Sequence, residues 1–339
     1  MPAPLHPALS THARRLAAWT LLAAAYTLAG RLGLALALVN PSASAVWPPT
    51  GIALAAVLVL GRSAWPGIFA GAFVINTLTA GSTVTSLLIA SGNTLEALTA
   101  AYLIERFAGG LHAFDSSRTI LRFVLASLAG ALVSATTGVI TICAFGFAGW
   151  AEFGSIWTTW WLGDAGGAIV LAPVILLWRL KPRFDWPRER VLELALLSLT
   201  AAAAGWVVFV AASYPLSFLA IPVCVWAGYR FGQREAATVT CAMSLVAVWG
   251  SARGLGTFAQ YSPNDSLLLV EAFMAVATTV GLTVGAAAAE RRHAEERLRG
   301  SHDELEARIH ARTRDLELSE RRLKTIIDAE PACVKLVSK

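Results

Sequence analysis

Ten apolar runs alternate with short polar turns over the first 290 positions, near residues 16–38, 45–60, 64–79, 83–105, 119–146, 155–178, 191–211, 214–229, 235–252 and 266–289. A helix rises about 1.5 Å per residue, so about 20 apolar residues cross a hydrocarbon core of about 30 Å, and shorter helices are tolerated inside a bundle. Each run is therefore read as a membrane span. The second and third are short and are parted only by Gly61, Arg62 and Ser63, but residues 46–79 are too many for one tilted helix, so two spans are predicted.

After Ala289 the pattern changes period and chemistry. Apolar residues recur every seven positions, with His302, Ile309, Leu316 and Leu323 at a and Leu298, Leu305, Arg312, Ser319 and Ile326 at d, so six of nine seam positions are apolar. Such a seam predicts a parallel dimeric coiled coil, weakened by its three polar members. The competing description is a single solvated helix laced with ion pairs four residues apart. The last residues, AEPACVKLVSK, read as the start of a further apolar-alternating element. The expected organisation is thus a membrane bundle over residues 1–290, a helical connector over 291–325 and the beginning of another domain over 326–339. The fold class is all-α.

Basic residues fix the expected topology. Arg14, Arg15, Arg62, Arg106, Arg118, Arg122, Arg179, Lys181, Arg183, Arg188, Arg190, Arg230 and Arg234 all fall on one side of a ten-span alternation, and Arg253 alone among the loop residues falls on the other. Cytoplasmic loops carry the excess of Lys and Arg, so both termini are placed inside. Omitting one span would scramble this alternation.

Composition agrees with that division. Overall 56% of residues are hydrophobic and 14% charged, with net charge +5. That average conceals two solvents: 27 of the first 290 residues are charged, against 22 of the last 49. Because the basic residues sit in loops between apolar runs, the positive charge is topological and no nucleic-acid partner is expected. Cys143, Cys224 and Cys241 lie inside apolar runs as small hydrophobes, Cys333 stands apart, and none of the six histidines lies in a span. No metal site, cofactor or disulfide framework is expected. No HExxH, P-loop or GxSxG motif is present, so no catalytic residue is assigned.

An ionisable side chain in the middle of a span costs roughly 2.5–3.5 kcal/mol on insertion scales, and such groups face a protein interior or a wet cavity. Glu96, with Asn93 one turn earlier on the same face, and Asp164, in WWLGDAGG after Trp160 and Trp161, are the two such groups in mid-span. Together they predict a polar cluster, either a ligand or cation pocket or a hydrogen-bond network that fixes helix packing. The VWPPTG segment adds Trp47, Pro48 and Pro49, an irregular or proline-initiated helix start that suits the mouth of a site, although prolines in a first turn and an interfacial Trp are also ordinary. Asn76 is a weaker candidate for the same pocket. Arg31 is expected to snorkel, Glu105 and Glu193 to form interfacial pairs, and Glu271 to be an exposed interfacial carboxylate. GxxxG spacings at Gly67/Gly71, Gly163/Gly167 and Gly281/Gly285 predict close helix contacts within the chain.

The strings WPPTGIALAAVLVLGRSAWPGIFAGAFVIN, SGNTLEALTAAYLIERF, WWLGDAGGAIVLAPVILLW and WGSARGLGTFA, in this order and spacing, resemble the MASE1 domain, a membrane-associated sensor of bacterial histidine kinases and diguanylate cyclases. The tail is similar to the signalling helix of such proteins, and SERRLKTIIDAEPACVKLV to the opening of a PAS domain. Arg31 and Glu271 depart from the uncharged residues that the resemblance implies there. It also implies a sensory input module in the bacterial inner membrane that drives a kinase or cyclase output, while the heptad seam predicts a homodimer and the stimulus, a small molecule or a protein, is left open. A solute transporter is the alternative that ten spans and buried carboxylates leave open.

Overall fold

The computed structural model describes residues 11–37, 40–79, 82–180, 188–212 and 214–329, and it separates into two compact units, Met1–Ala288 and Ala289–Lys339. Lys181, Arg183, Cys333 and most of the expected final domain, residues 330–339, lie outside the described residues. Among the described residues every regular element is helical, and the one β-bridge, between Asn40 and Ala43, is isolated.

Ten α-helices follow one another among the described residues: α1 Thr11–Leu34, α2 Pro48–Leu60, α3 Trp65–Thr77, α4 Thr83–Leu103, α5 Ser117–Ala144, α6 Phe153–Leu180, α7 Arg188–Trp206, α8 Ala220–Trp226, α9 Gln233–Ala252 and α10 Pro263–Ala329. Helices α4, α7 and α8 each end in a widened π-type turn, at Ile104–Ala108, Val207–Ala211 and Ala227–Phe231. The ten helices coincide in order with the ten apolar runs. Six of them, α4, α5, α6, α7, α9 and α10, are long and apolar enough to cross a membrane, whereas Pro48–Leu60 and Ser217–Phe231 are shorter apolar helices.

The expected first span, residues 16–38, stops early. Past Leu34 the backbone tightens, with Leu36 N–H donating to the Gly33 carbonyl (2.9 Å) and Ala37 N–H to that of Leu34 (3.0 Å). Residues 40–47 then run irregularly into the bundle, where the Ser44 hydroxyl donates to the Gly33 carbonyl (2.7 Å) and reaches that of Val46 (3.0 Å). Buried irregular backbone needs such partners. Helix α2 begins on the two prolines, which have no N–H to leave unsatisfied in a helix's first turn.

At 13 residues, α2 is about 20 Å long, shorter than a hydrocarbon core. Its first turn is nevertheless buried, at Pro49, Thr50 and Gly51, against α4 and α6. The approach to α6 depends on glycine: an added Cβ at Gly51 would overlap the Gly167 carbonyl oxygen, and one at Gly167 would overlap that of Trp47. Gly51→Val is therefore expected to destabilise the bundle by about 3 kcal/mol or more, since backbone rather than a flexible side chain must move. Unfolding in lipid nanodiscs checks this, with Ala56→Val, at a half-buried position on the same helix, as comparison.

Around this pair the helices pack α4 on α5, α5 on α6, α1 on α3 and α3 on α4, and α6 also meets α9. The arginine-bearing turns gather at one end. Arg62 pairs with Glu105 (3.6 Å), Arg122 donates to the Phe107 carbonyl (3.1 Å), Gln233 to that of Phe114, Arg190 to that of Phe231 (3.3 Å), and Arg230 binds Glu193 through two hydrogen bonds of 2.6 and 2.7 Å. The expected interfacial pairs of Glu105 and Glu193 are thus present, and Arg31 is exposed.

In the second unit the helix is solvent-exposed along its described length. Pairs four residues apart join Arg291 to Glu295 (2.8 Å), His302 to Glu306 (3.3 Å) and Glu304 to Arg308 (2.6 Å). The Arg291 guanidinium holds the Glu295 carboxyl below its ordinary range. Leu298, Leu305, Ile309, Leu316, Leu323 and Ile326, the expected seam, are each more than half exposed in the single chain.

Candidate functional site

Five elements converge on one buried polar cluster: Tyr26 from α1, Thr50 from the first turn of α2, Asn93 and Glu96 from α4, Ser134 from α5, and Trp160 and Asp164 from α6. Asn93 and Glu96 face the same way because they are three residues apart on one helix. Trp160 and Asp164 share a face four residues apart, and Gly163 and Gly167 bring the irregular 44–47 segment against α6 beside them.

One half of the cluster is a directed chain of hydrogen bonds. The Trp160 indole donates to the Ser134 hydroxyl (3.1 Å), Ser134 donates to the Asn93 carbonyl oxygen (2.8 Å), and the Asn93 amide donates to the Tyr26 hydroxyl (3.0 Å). The chain runs in one sense, and with Ser134 donating to its oxygen and Tyr26 accepting from its nitrogen the Asn93 amide has a fixed orientation.

The other half is a carboxyl pair. The Thr50 hydroxyl lies 3.2 Å from Asp164 Oδ1 and 3.5 Å from Glu96 Oε2, and it has a single proton to give to one of them. Glu96 is 2% exposed and Asp164 fully buried. Glu96 Oε1, Asp164 Oδ2 and the Trp47 indole N–H have no hydrogen-bond partner among the described residues, and no Lys, Arg or His there lies within 4.0 Å of either carboxyl. Two negative charges this close in a low dielectric require a positive partner, a proton shared between them or a cation. Helix α2 contributes in part, because its amino-terminal end carries roughly half a positive charge and presents Thr50 to both carboxyls. Two carboxylates alone are a sparse cation set, and among the described residues no three His, Cys, Asp or Glu side chains come together as a metal site.

The sequence candidates divide plainly. Asn93, Glu96, Trp160 and Asp164 are brought together. Trp47, named for the mouth of a site with an interfacial place as the alternative, is buried at 8% exposure, because the chain folds residues 40–47 inward before α2. Pro48 and Pro49 do start a helix, and they position Thr50. Asn76 is spent on its own helix, donating to the Ala72 carbonyl (2.8 Å), and Trp161 donates to the Leu128 carbonyl (3.0 Å) and stacks on Trp157. Tyr26, Thr50 and Ser134 were not anticipated. Glu271, expected at an exposed interface, is 6% exposed, because α6 and α10 close over it.

One family model matches the chain, that of MASE1, over residues 18–292. No curated protein and no solved structure matches it.

Proposed function

Because the chain belongs to the MASE1 family of membrane-associated sensory domains, we propose that it is the multi-pass input module of a bacterial signalling protein, with the cluster around Glu96 and Asp164 as its sensing element. The observation that carries this reading is the carboxyl pair held by one hydroxyl at the start of a helix shorter than the hydrocarbon core. A buried pair without a basic partner is costly to keep for packing alone, and its charge state or occupancy bears directly on how α2 seats against α4 and α6. Trp47, Pro48 and Pro49 hold that helix start in place.

In this reading all ten helices cross or enter the inner membrane and both termini are cytoplasmic, in keeping with the arginine-bearing turns gathered at one end. The stimulus, a small molecule or a protein, shifts helix packing. Helix α10 passes the shift to a homodimeric coiled coil with Leu298, Leu305, Ile309, Leu316, Leu323 and Ile326 in its seam, and that seam drives a PAS-coupled kinase or a cyclase beyond this chain. The assignments of PAS, kinase and two-component signalling rest on the resemblance of the tail.

The test uses a cysteine-free background carrying Leu316→Cys, reconstituted in vesicles. Disulfide formation between copies is expected, and Asp164→Asn is expected to change its rate at least about threefold. A transporter would instead show Asp164-dependent solute uptake with no change at Leu316, and that result would replace the sensory reading.

A further inference from the structure

A second buried carboxylate, Glu271 of α10, sits in a cavity of about 330 Å³ between α5, α6 and α10 and shares no hydrogen bond with the first cluster among the described residues. Its walls are apolar: Val124 and Leu128 of α5, Leu162 and Ile169 of α6, Val276 and Val280 of α10. Glu271, more than nine-tenths buried, reaches into it and makes no hydrogen bond or ion pair among the described residues. Room for the carboxylate exists because residue 166 is glycine; a Cβ there would occupy the place of Glu271 Oε2. The other polar side chain on the wall, Thr279, donates its proton to the Ala275 carbonyl (2.7 Å) and so faces any guest as an acceptor. Ala272 and Val276, on the same wall, are exposed at the surface of the helix, so the cavity opens sideways.

From this geometry we infer that the cavity binds a membrane-dissolved amphiphile consisting of an apolar chain with one primary or secondary ammonium, the ammonium on Glu271 and the chain along α5, α6 and α10. A lone carboxyl in an apolar enclosure gives up its proton only to a basic guest, so the guest is cationic once bound. The Glu271 carboxylate and the Thr279 hydroxyl oxygen then both accept, so the guest's ammonium supplies the donors. Lateral opening toward lipid selects one that partitions into the bilayer. The inference stands apart from the Glu96 and Asp164 reading, and either can fail without the other.

The chain in phosphatidylcholine nanodiscs is to be photolabelled with a decylamine carrying a mid-chain diazirine, and the labelled residues mapped by mass spectrometry. Labels are expected at α5, α6 and α10 near Leu128, Leu162 and Val276. Unlabelled decylamine should compete at least tenfold better than decanol or decanoic acid, a comparison that needs no variant. Glu271→Gln, which keeps shape and removes charge, and Gly166→Ala, which fills the carboxylate's seat, should each reduce labelling at least tenfold. Equal competition by decanol, undiminished labelling of Glu271→Gln with its unfolding midpoint unchanged, or labelling no stronger than on the exposed Leu192 and Leu199 of α7 would overturn the proposal. So would a Val276→Cys crosslink between two copies that excludes the amine, since the cavity would then be an interface.

Discussion

Thr50→Val is expected to lower the stability of the membrane unit by about 2–3 kcal/mol, whereas Glu96→Gln is expected to raise it by about 1–2 kcal/mol. Valine keeps the shape of threonine but withdraws a hydroxyl donor within reach of both Asp164 Oδ1 and Glu96 Oε2, in a place where Glu96 Oε1 and Asp164 Oδ2 already lack partners. A buried acceptor stripped of its donor bears its full desolvation cost. Glutamine acts the other way: it removes one buried charge and supplies an amide that can donate across the pair to Asp164. The double variant should therefore recover much of the Thr50→Val loss, a coupling that a thermodynamic cycle isolates. Chemical unfolding in nanodiscs, read by Trp fluorescence, measures all three. A pair kept only to glue helices predicts the opposite sign for Glu96→Gln, namely a loss. A stabilised variant with a blunted response is the signature of a site strained for function.

Glu96 and Asp164 were legible because charge in the middle of an apolar run has so few tolerable places to go. Asn93 followed from helical spacing. Thr50, Ser134 and Tyr26 were not, since hydroxyls occur throughout these helices, many simply bonded to the carbonyl four residues back, as Thr94 and Ser127 are. What distinguishes Thr50 is where α2 begins, and that depends on the inward path of residues 40–47, which the mixed string NPSASAVW does not announce. The same blindness explains α1. Leu36 and Ala37 continue the apolar pattern while the backbone has already left the helix. Burial of Trp47 and Glu271 depended on partners distant in sequence, Gly167 at the Trp47 carbonyl and Gly166 beneath the carboxylate, and no local pattern announces such pairs. Helix number and order were legible for a simpler reason: every turn needs polar or glycine residues, and those punctuate the apolar runs.

Replacing Ile309, Leu316 and Leu323 together by asparagine is expected to abolish self-association of the tail, while Leu318→Asn leaves it intact. All four side chains are more than half exposed in the single chain, so exposure alone does not separate them. Heptad position does. The first three fall on the a row, and Leu318 falls two places later, outside the a and d rows. Burying an aliphatic side chain contributes about 1.5–3 kcal/mol, and three positions on each of two chains amount to several kcal/mol even with partial burial, more than a thousandfold in dissociation constant. Arg312, Ser319 and His302 already weaken the seam, so little reserve exists to absorb the loss. The i,i+4 pairs such as Glu304–Arg308 are local and survive in both variants, which keeps helicity constant and makes association the quantity that changes. Sedimentation equilibrium of the chain in density-matched detergent reads it directly: the wild type and Leu318→Asn as dimers, the triple variant as a monomer with unchanged circular dichroism. Equal association of all three would mean that the tail is a solvated single helix and that any dimer is made elsewhere in the chain.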